Sequence, residues 1–161
     1  MKRKAQAAFE FLATYGWALI AISVAIAAIA YFGIFNPEKV LPNRCNFGPE
    51  FTCLDYQISA SNDEFLLKLR NGAGYPVTIT SADLGSESAT QYSCTAPVNL
   101  PMSNVPSGSA IDLTFTSCNS AAAGFASGSR KKIFVTINSY DSGSGASYAK
   151  KVKGEVYSTV V

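Results

Sequence analysis

The chain has 161 residues, 48% of them apolar, which is enough for one modest core and not for two. Histidine is absent, removing the commonest general base and the commonest metal ligand. The formal net charge is +2, but three of the thirteen basic residues are Lys2, Arg3 and Lys4; without them ten basic residues face eleven acidic ones, so affinity for nucleic acid through bulk charge is not expected.

The compact positive cluster at Lys2–Lys4 is followed by a long apolar run. From Phe11 to Pro37 no residue is charged, and the run is stopped by Asn36-Pro37. As helix, these 27 residues would reach about 40 Å, enough to cross a bilayer. The flanking Lys and Arg place the N-terminus on the cytoplasmic side, which puts the rest of the chain outside. An ordinary secretory signal would have a shorter apolar core and a small-x-small cut, for which Ala25-Ile-Ala27 or Ala28-Ile-Ala30 could serve.

Glu10 argues for something else. It sits at the mouth of the apolar run with no basic residue within helical reach after Lys4, and a carboxylate entering hydrocarbon needs a partner. A cut between Ala5 and Gln6 would supply one, because the new α-amino group at Gln6 makes Glu10 the fifth residue of the product. That amine could come from the same subunit or from a neighbour.

With Lys4-Ala5 before the cut, Glu10 five residues into the product and an apolar helix following, this N-terminus resembles that of type IV prepilins. The run Gln6-Ala-Ala-Phe-Glu-Phe-Leu-Ala-Thr-Tyr-Gly-Trp-Ala18 is similar to the archaeal class III signal sequence. The usual residue before the cut is Gly, and Ala5 departs from it while remaining small. The resemblance spans about thirty residues. It implies cleavage by a membrane prepilin peptidase on the cytoplasmic side, and a helix that first anchors the subunit in the plasma membrane and then packs into a filament core. The helix is rich in small residues, Ala13, Gly16, Ala18, Ala21 and Ala25 among them, which permit close helix approach and are also simply common in membrane helices.

Beyond Pro37 lie the four cysteines, Cys45, Cys53, Cys94 and Cys118. An even count outside a membrane-type segment reads as two disulfides in an oxidising compartment. Three pairings are possible; Cys45–Cys53 with Cys94–Cys118 closes one short and one medium loop and is the first to consider. A four-cysteine zinc site usually wants tight C-x2-4-C pairs, and none occurs. A Cys45–Cys53 loop would stiffen residues 36–53, which carry three prolines.

The periodicity then changes from helical to alternating. Residues 54–60, 65–70, 76–80, 110–116, 132–138 and 149–158 are predicted as strands, most clearly Ile111-Asp-Leu-Thr-Phe115 and Ile133-Phe-Val-Thr-Ile137. Asn71-Gly72, Ser107-Gly108 and Asp141–Gly145 supply turns. The fold expected is a long N-terminal hydrophobic α-helix followed by an all-β head, an antiparallel immunoglobulin-like β-sandwich; a mixed α/β head, as in many bacterial pilins, is the alternative. The expected division is a leader at 1–5, the helix at 6–36, a junction at 37–53 and the head at 54–161.

Within the head, Cys118 to Arg130 is expected to be an exposed loop. Arg130, Lys131, Lys132, Lys150, Lys151 and Lys153 are expected to gather on a terminal hairpin as a basic patch, a solvated face before a binding one. Phe47, Phe51, Tyr56, Phe65, Tyr75, Phe115, Phe134 and Tyr157 are assigned mostly to the core. No P-loop, Gly-x-Gly-x-x-Gly, zinc-ligand set or triad is present, so no enzyme, cofactor or metal site is expected. Asp63 and Glu64 fall in a turn, and Asp112 and Asp141 are isolated. No Asn-x-Ser/Thr occurs, so N-glycosylation is not expected, while the Ser/Thr-rich loops leave O-linked modification open.

Three classes follow. The first is an extracellular structural subunit of an archaeal type IV pilus. Its partners would be identical subunits, the prepilin peptidase and assembly machinery, and the membrane before assembly; its role would include adhesion. The second is a non-polymerising membrane-anchored surface or binding protein, and the third a secreted enzyme or binding module.

Overall fold

The computed structural model describes residues 2–32, 42–88 and 90–161, with side chains in the first helix at residues 10, 11 and 13–32. The chain divides into two units, Met1–Leu41 and Pro42–Val161.

The first unit carries one helix, α1 (Lys2–Tyr31), about 45 Å long at 1.5 Å per residue. Alanine and leucine favour it, and its interior holds no proline and a single glycine, Gly16. Two hydroxyls on this apolar helix are satisfied within it. Thr14 Oγ1 donates to the Glu10 carbonyl and Ser23 Oγ to the Leu19 carbonyl, both at 2.8 Å. The expected helix stop at Asn36-Pro37 lies outside the described residues.

The second unit is all-β. Its strands are β1 (Arg44–Asn46), β2 (Phe51–Ser59), β3 (Glu64–Asn71), β4 (Val77–Ser86), β5 (Met102–Val105), β6 (Ala110–Phe115), β7 (Arg130–Asp141) and β8 (Lys150–Thr159). They form a five-stranded sheet in the order β1-β8-β7-β4-β5 and a three-stranded sheet in the order β2-β3-β6. Every paired strand runs antiparallel. A short 3-10 turn, Ala146–Tyr148, is the one helical piece among the unit's described residues, so the mixed α/β alternative is set aside.

Period-two alternation builds the core. Phe65, Leu67 and Leu69 of β3, Ile111, Leu113 and Phe115 of β6, and Ile133, Val135 and Ile137 of β7 are all buried, and both sheets feed one apolar cluster. The residues between them, Leu66, Lys68, Asp112, Thr114 and Phe134, point outward.

Two seams join the sheets. At one, β1 is tied to β2 by the Cys45–Cys53 disulfide and the Phe47–Phe51 bridge. There too the Val161 N–H donates to the Ile58 carbonyl at 2.9 Å, and the Ala60 N–H donates to the Val161 carbonyl at 2.8 Å. At the other, buried Asn71 is a polar node: Nδ2 donates to the Tyr75 and Val105 carbonyls at 2.9 and 3.0 Å, and Oδ1 accepts the Ala73 N–H at 3.0 Å. A buried amide with each group so occupied holds its loops without a desolvation penalty.

Residues 118–130 differ from expectation. Ser120, Ala123 and Phe125 are buried, and the Phe125 ring stacks on buried Tyr92 with centroids 4.1 Å apart. An Ala/Ser-rich segment is drawn onto the core because its one aromatic ring finds an aromatic partner there. The Tyr92 hydroxyl lies against that of Ser120 without completing a well-formed hydrogen bond, and burial pushes the Tyr92 pKa up. Among the aromatics assigned to the core, Phe47, Phe51, Phe65 and Phe115 are buried and Tyr56 and Tyr75 pack at its edge. Phe134 instead faces outward, 37% exposed, because it alternates with inward Ile133 and Val135.

Gly154 occupies a position in β8 that only glycine fits, since a Cβ there would overlap the ring of buried Phe47. Gly154→Ala should therefore lower the stability of the β unit by about 1–3 kcal/mol, through displacement of that ring. Gly143→Ala, where a Cβ would meet nothing closer than 3.5 Å, should stay within about 0.5 kcal/mol of the parent. Denaturant unfolding of the full chain in detergent, followed by near-ultraviolet circular dichroism, compares the two.

Candidate functional site

The first candidate surface is α1. Its window Ala13–Tyr31 is long and apolar enough to cross a membrane, and none of its side chains is buried within the chain. Nineteen residues rise about 28 Å, close to the thickness of a bilayer's hydrocarbon core. Trp17, Leu19, Ile20, Ile22, Val24 and Ile26 expose more than half of their surface, and they lie all round the helix rather than along one stripe. Such a cylinder has no polar side to turn to water.

Glu10 is the one charged residue from position 10 to 32, and its side chain is exposed. The helix already includes residues 2–10, so positions 6 and 10 lie on one face, one turn and about 6 Å apart along the axis. The side chains of Ala5 and Gln6 lie outside the described residues.

In the β unit, Cys45 is bonded to Cys53 and Cys94 to Cys118, with sequence separations of 8 and 24. Each bond crosses between sheets or onto a loop. Cys45 belongs to β1 and Cys53 to β2, while Cys118 follows β6 and Cys94 lies in the connection between β4 and β5.

The six basic residues do not gather. In the β7–β8 register Lys132 stands opposite Tyr157 and Lys153 opposite Thr136, four residues further along β7, or roughly 13 Å. One group lies at the open end of the hairpin and the other near its turn. Among the six, Lys132 and Lys150 also pair with carboxylates locally. Lys132 pairs with Glu87 at 3.2 Å and with Glu155 at 3.5 Å, and Glu155 also meets Arg44 at 3.1 Å. The alternating chain Arg44–Glu155–Lys132–Glu87 thus runs across β1, β8, β7 and the end of β4. Lys132 also lies over the Phe134 ring at 4.9 Å. Its pKa is raised, chiefly by the hydrogen bond to Glu87 and then by Glu155. Lys150 pairs with Glu50 and donates to the Tyr75 hydroxyl at 3.0 Å; its pKa is raised mainly by the Glu50 contact.

The acidic residues have structural settings. Asp63 turns the chain between β2 and β3 at a φ of 50°. Asp141 accepts the Gly143 N–H and the Ser144 hydroxyl, both at 2.9 Å, and so shapes the β7–β8 turn. Asp112 pairs with Lys68 at 3.2 Å on the outward side of the small sheet. That side carries a shallow groove of about 230 Å³ bordered by Asp55, Gln57, Leu66, Lys68, Asp112 and Thr114. No sequence signal marked the groove, because it arises when the register sets β6 beside the β2–β3 hairpin, which is distant from it in the chain. Among the described residues no three His, Cys, Asp or Glu side chains gather to hold a metal ion.

No protein-family model matches the chain, and no curated protein matches it in sequence.

Both disulfides close loops whose chain entropy they remove from the unfolded state. The loop-length relation gives about 2.6 kcal/mol for Cys45–Cys53 and about 3.5 kcal/mol for Cys94–Cys118. Paired Cys→Ser replacement should therefore cost more at Cys94/Cys118 than at Cys45/Cys53, measured as the shift in denaturant midpoint of the full chain.

Proposed function

We propose that this chain is a membrane-anchored surface protein whose β unit lies outside the cell, and, more specifically, that it is the structural subunit of an archaeal type IV pilus. The anchored reading is carried by the unburied apolar window Ala13–Tyr31 together with a compact, doubly disulfide-bonded β unit. Helix and β unit by themselves support an anchored, non-polymerising protein better than they support a polymer. The filament reading adds the N-terminal residue pattern and accounts for Glu10.

On that reading a prepilin peptidase cuts between Ala5 and Gln6, and the precursor waits in the plasma membrane with α1 spanning it. During assembly α1 moves from lipid into a bundle of identical helices, exchanging one apolar environment for another. Glu10 is the device that sets the order of this exchange. Its carboxylate is costly in hydrocarbon and is relieved by an α-amino group at Gln6, one turn away on its own helix or presented by the neighbouring subunit. The two-sheet head suits an immunoglobulin-like sandwich in its layering, although β1 and β2 lie in different sheets where immunoglobulin constant domains keep their first two strands together. Adhesion to surfaces or cells is the role proposed for the assembled pilus, with no catalysis, cofactor or nucleic-acid specificity.

The deciding experiment is intact mass spectrometry, without reduction, of filaments sheared from producing cells. The pilus reading expects a chain starting at Gln6 with its α-amine intact, lighter by four hydrogens than the reduced product. Protein confined to membranes and still starting at Met1 would instead establish the anchored, non-polymerising reading. Glu10→Ala should leave processing and head folding intact and cut filament yield by about tenfold or more, the scale of one lost charge pair. Filaments at parental yield from that variant would remove the carboxylate's role.

A further inference from the structure

The outward sides of the two sheets carry charge patterns of opposite sign. On the small sheet, Asp55 of β2, Lys68 of β3 and Asp112 of β6 stand in one cross-strand row, reading minus, plus, minus. On the large sheet, Arg44 of β1, Glu155 of β8 and Lys132 of β7 stand on three neighbouring strands and read plus, minus, plus, linked at 3.1 and 3.5 Å. The small-sheet charges form one straight row, whereas Arg44 and Lys132 both stand opposite Tyr157 and reach Glu155 two residues along β8. Both triplets thus span three neighbouring strands about 4.8 Å apart, but the large-sheet one is bent. Each has the opposite charge at its centre and at both ends.

Shape and apolar surface follow the same pattern. Beside the small sheet's triplet, the next outward residue of β3 is Leu66, 37% exposed, which borders the groove of about 230 Å³. Beside the large sheet's triplet, the next outward residue of β7 is Phe134, also 37% exposed, standing opposite Glu155. One face thus offers a depression with an apolar border and the other a partly exposed aromatic ring with the Lys132 ammonium over it.

We propose that these two faces are the halves of one interface, formed between the large sheet of one copy of this chain and the small sheet of the next. Phe134 enters the groove beside Leu66, and Glu155 meets Lys68 at the centre. The large-sheet ladder continues beyond Lys132 to Glu87, so the two ends of that face differ, while Glu155 keeps a cation on either side. The inner sides of the two sheets share one core, so their outward sides point away from each other and cannot meet within a chain. The contact is therefore heterologous, and each copy that engages one face leaves the other free to continue. The open-ended repetition of the contact, though not its chemistry, rests on the filament reading.

Centre-charge exchange tests the interface. Sedimentation velocity of the full chain in detergent is measured for the parent, Lys68→Glu, Glu155→Lys and the double variant, with circular dichroism confirming the fold of each. The parent should self-associate in a concentration- and salt-dependent manner. Each single variant should associate about tenfold or more weakly, through like charges at the centre, and the double variant should return to near-parental association. Phe134→Ser, a milder change on the outward side, should weaken association without loss of fold. If the parent does not associate through its heads, if the singles match the parent, or if the folded double variant is no better than the singles, the interface is wrong. The filament reading fails separately: a parent that yields no filaments from cells overturns it whatever the detergent result, and single variants that make filaments as the parent does overturn the interface while leaving that reading in place.

Discussion

An apolar cylinder with no polar side imposes the constraint on which the organisation of this chain depends. The window Ala13–Tyr31 is long and apolar enough to cross a membrane and has no polar side to turn to water, so water is a poor solvent for it. That requirement divides the labour between the two units. Through this window the helix carries no charge, the Thr14 and Ser23 hydroxyls are bonded to its own backbone, and Glu10 stands just ahead of it. Everything that must survive contact with solvent is placed in the β unit, which has its own core, its own disulfides and a charged exterior.

The β unit meets a second constraint, the exposed edges of two small sheets. Edges are closed chemically rather than by added strands. The Asn99 amide donates to the Asp112 carbonyl on the outer edge of β6 at 2.7 Å. The last two residues pair with Ile58 and Ala60 along β2, and Phe47 folds over Gly154 of β8. These closures leave the outward faces, rather than the edges, as the surfaces available to a partner. That is why the proposed contact between copies is face to face and directed by charge, not an extension of either sheet.

How much of this was legible in the sequence depended on whether the signal was local. The helix announced itself through an uncharged run, and β6 and β7 through strict alternation around Asp112 and Phe134. Arg44–Asn46 and Met102–Val105 were missed because three or four residues carry no period of their own; they are strands only because β8 and β4 offer them edges. Phe125 was read as part of a loop since its stacking partner, Tyr92, is thirty-three residues away. The basic residues were grouped by closeness in sequence, whereas register spreads them along the hairpin and pairs Lys132 with Glu87 and Glu155. The groove and the opposed charge triplets could not be read at all, being products of register between β2, β3 and β6 on one side and β1, β8 and β7 on the other. Glu10 is the reverse case: its meaning is more visible in the sequence, where it interrupts an apolar pattern, than in the geometry of an isolated helix.

The bond between Cys45 and Cys53 has a mechanical consequence. Any force transmitted along the backbone from the N-terminal unit enters the β unit at Pro42 and reaches β1 first. A three-residue strand held by hydrogen bonds to β8 alone would peel away under modest load. With Cys45 joined covalently to Cys53, the same pull is passed within two residues into β2, and so into the smaller sheet as well as the larger. The two sheets are then loaded together, and the shortest of the described strands ceases to be the weakest link.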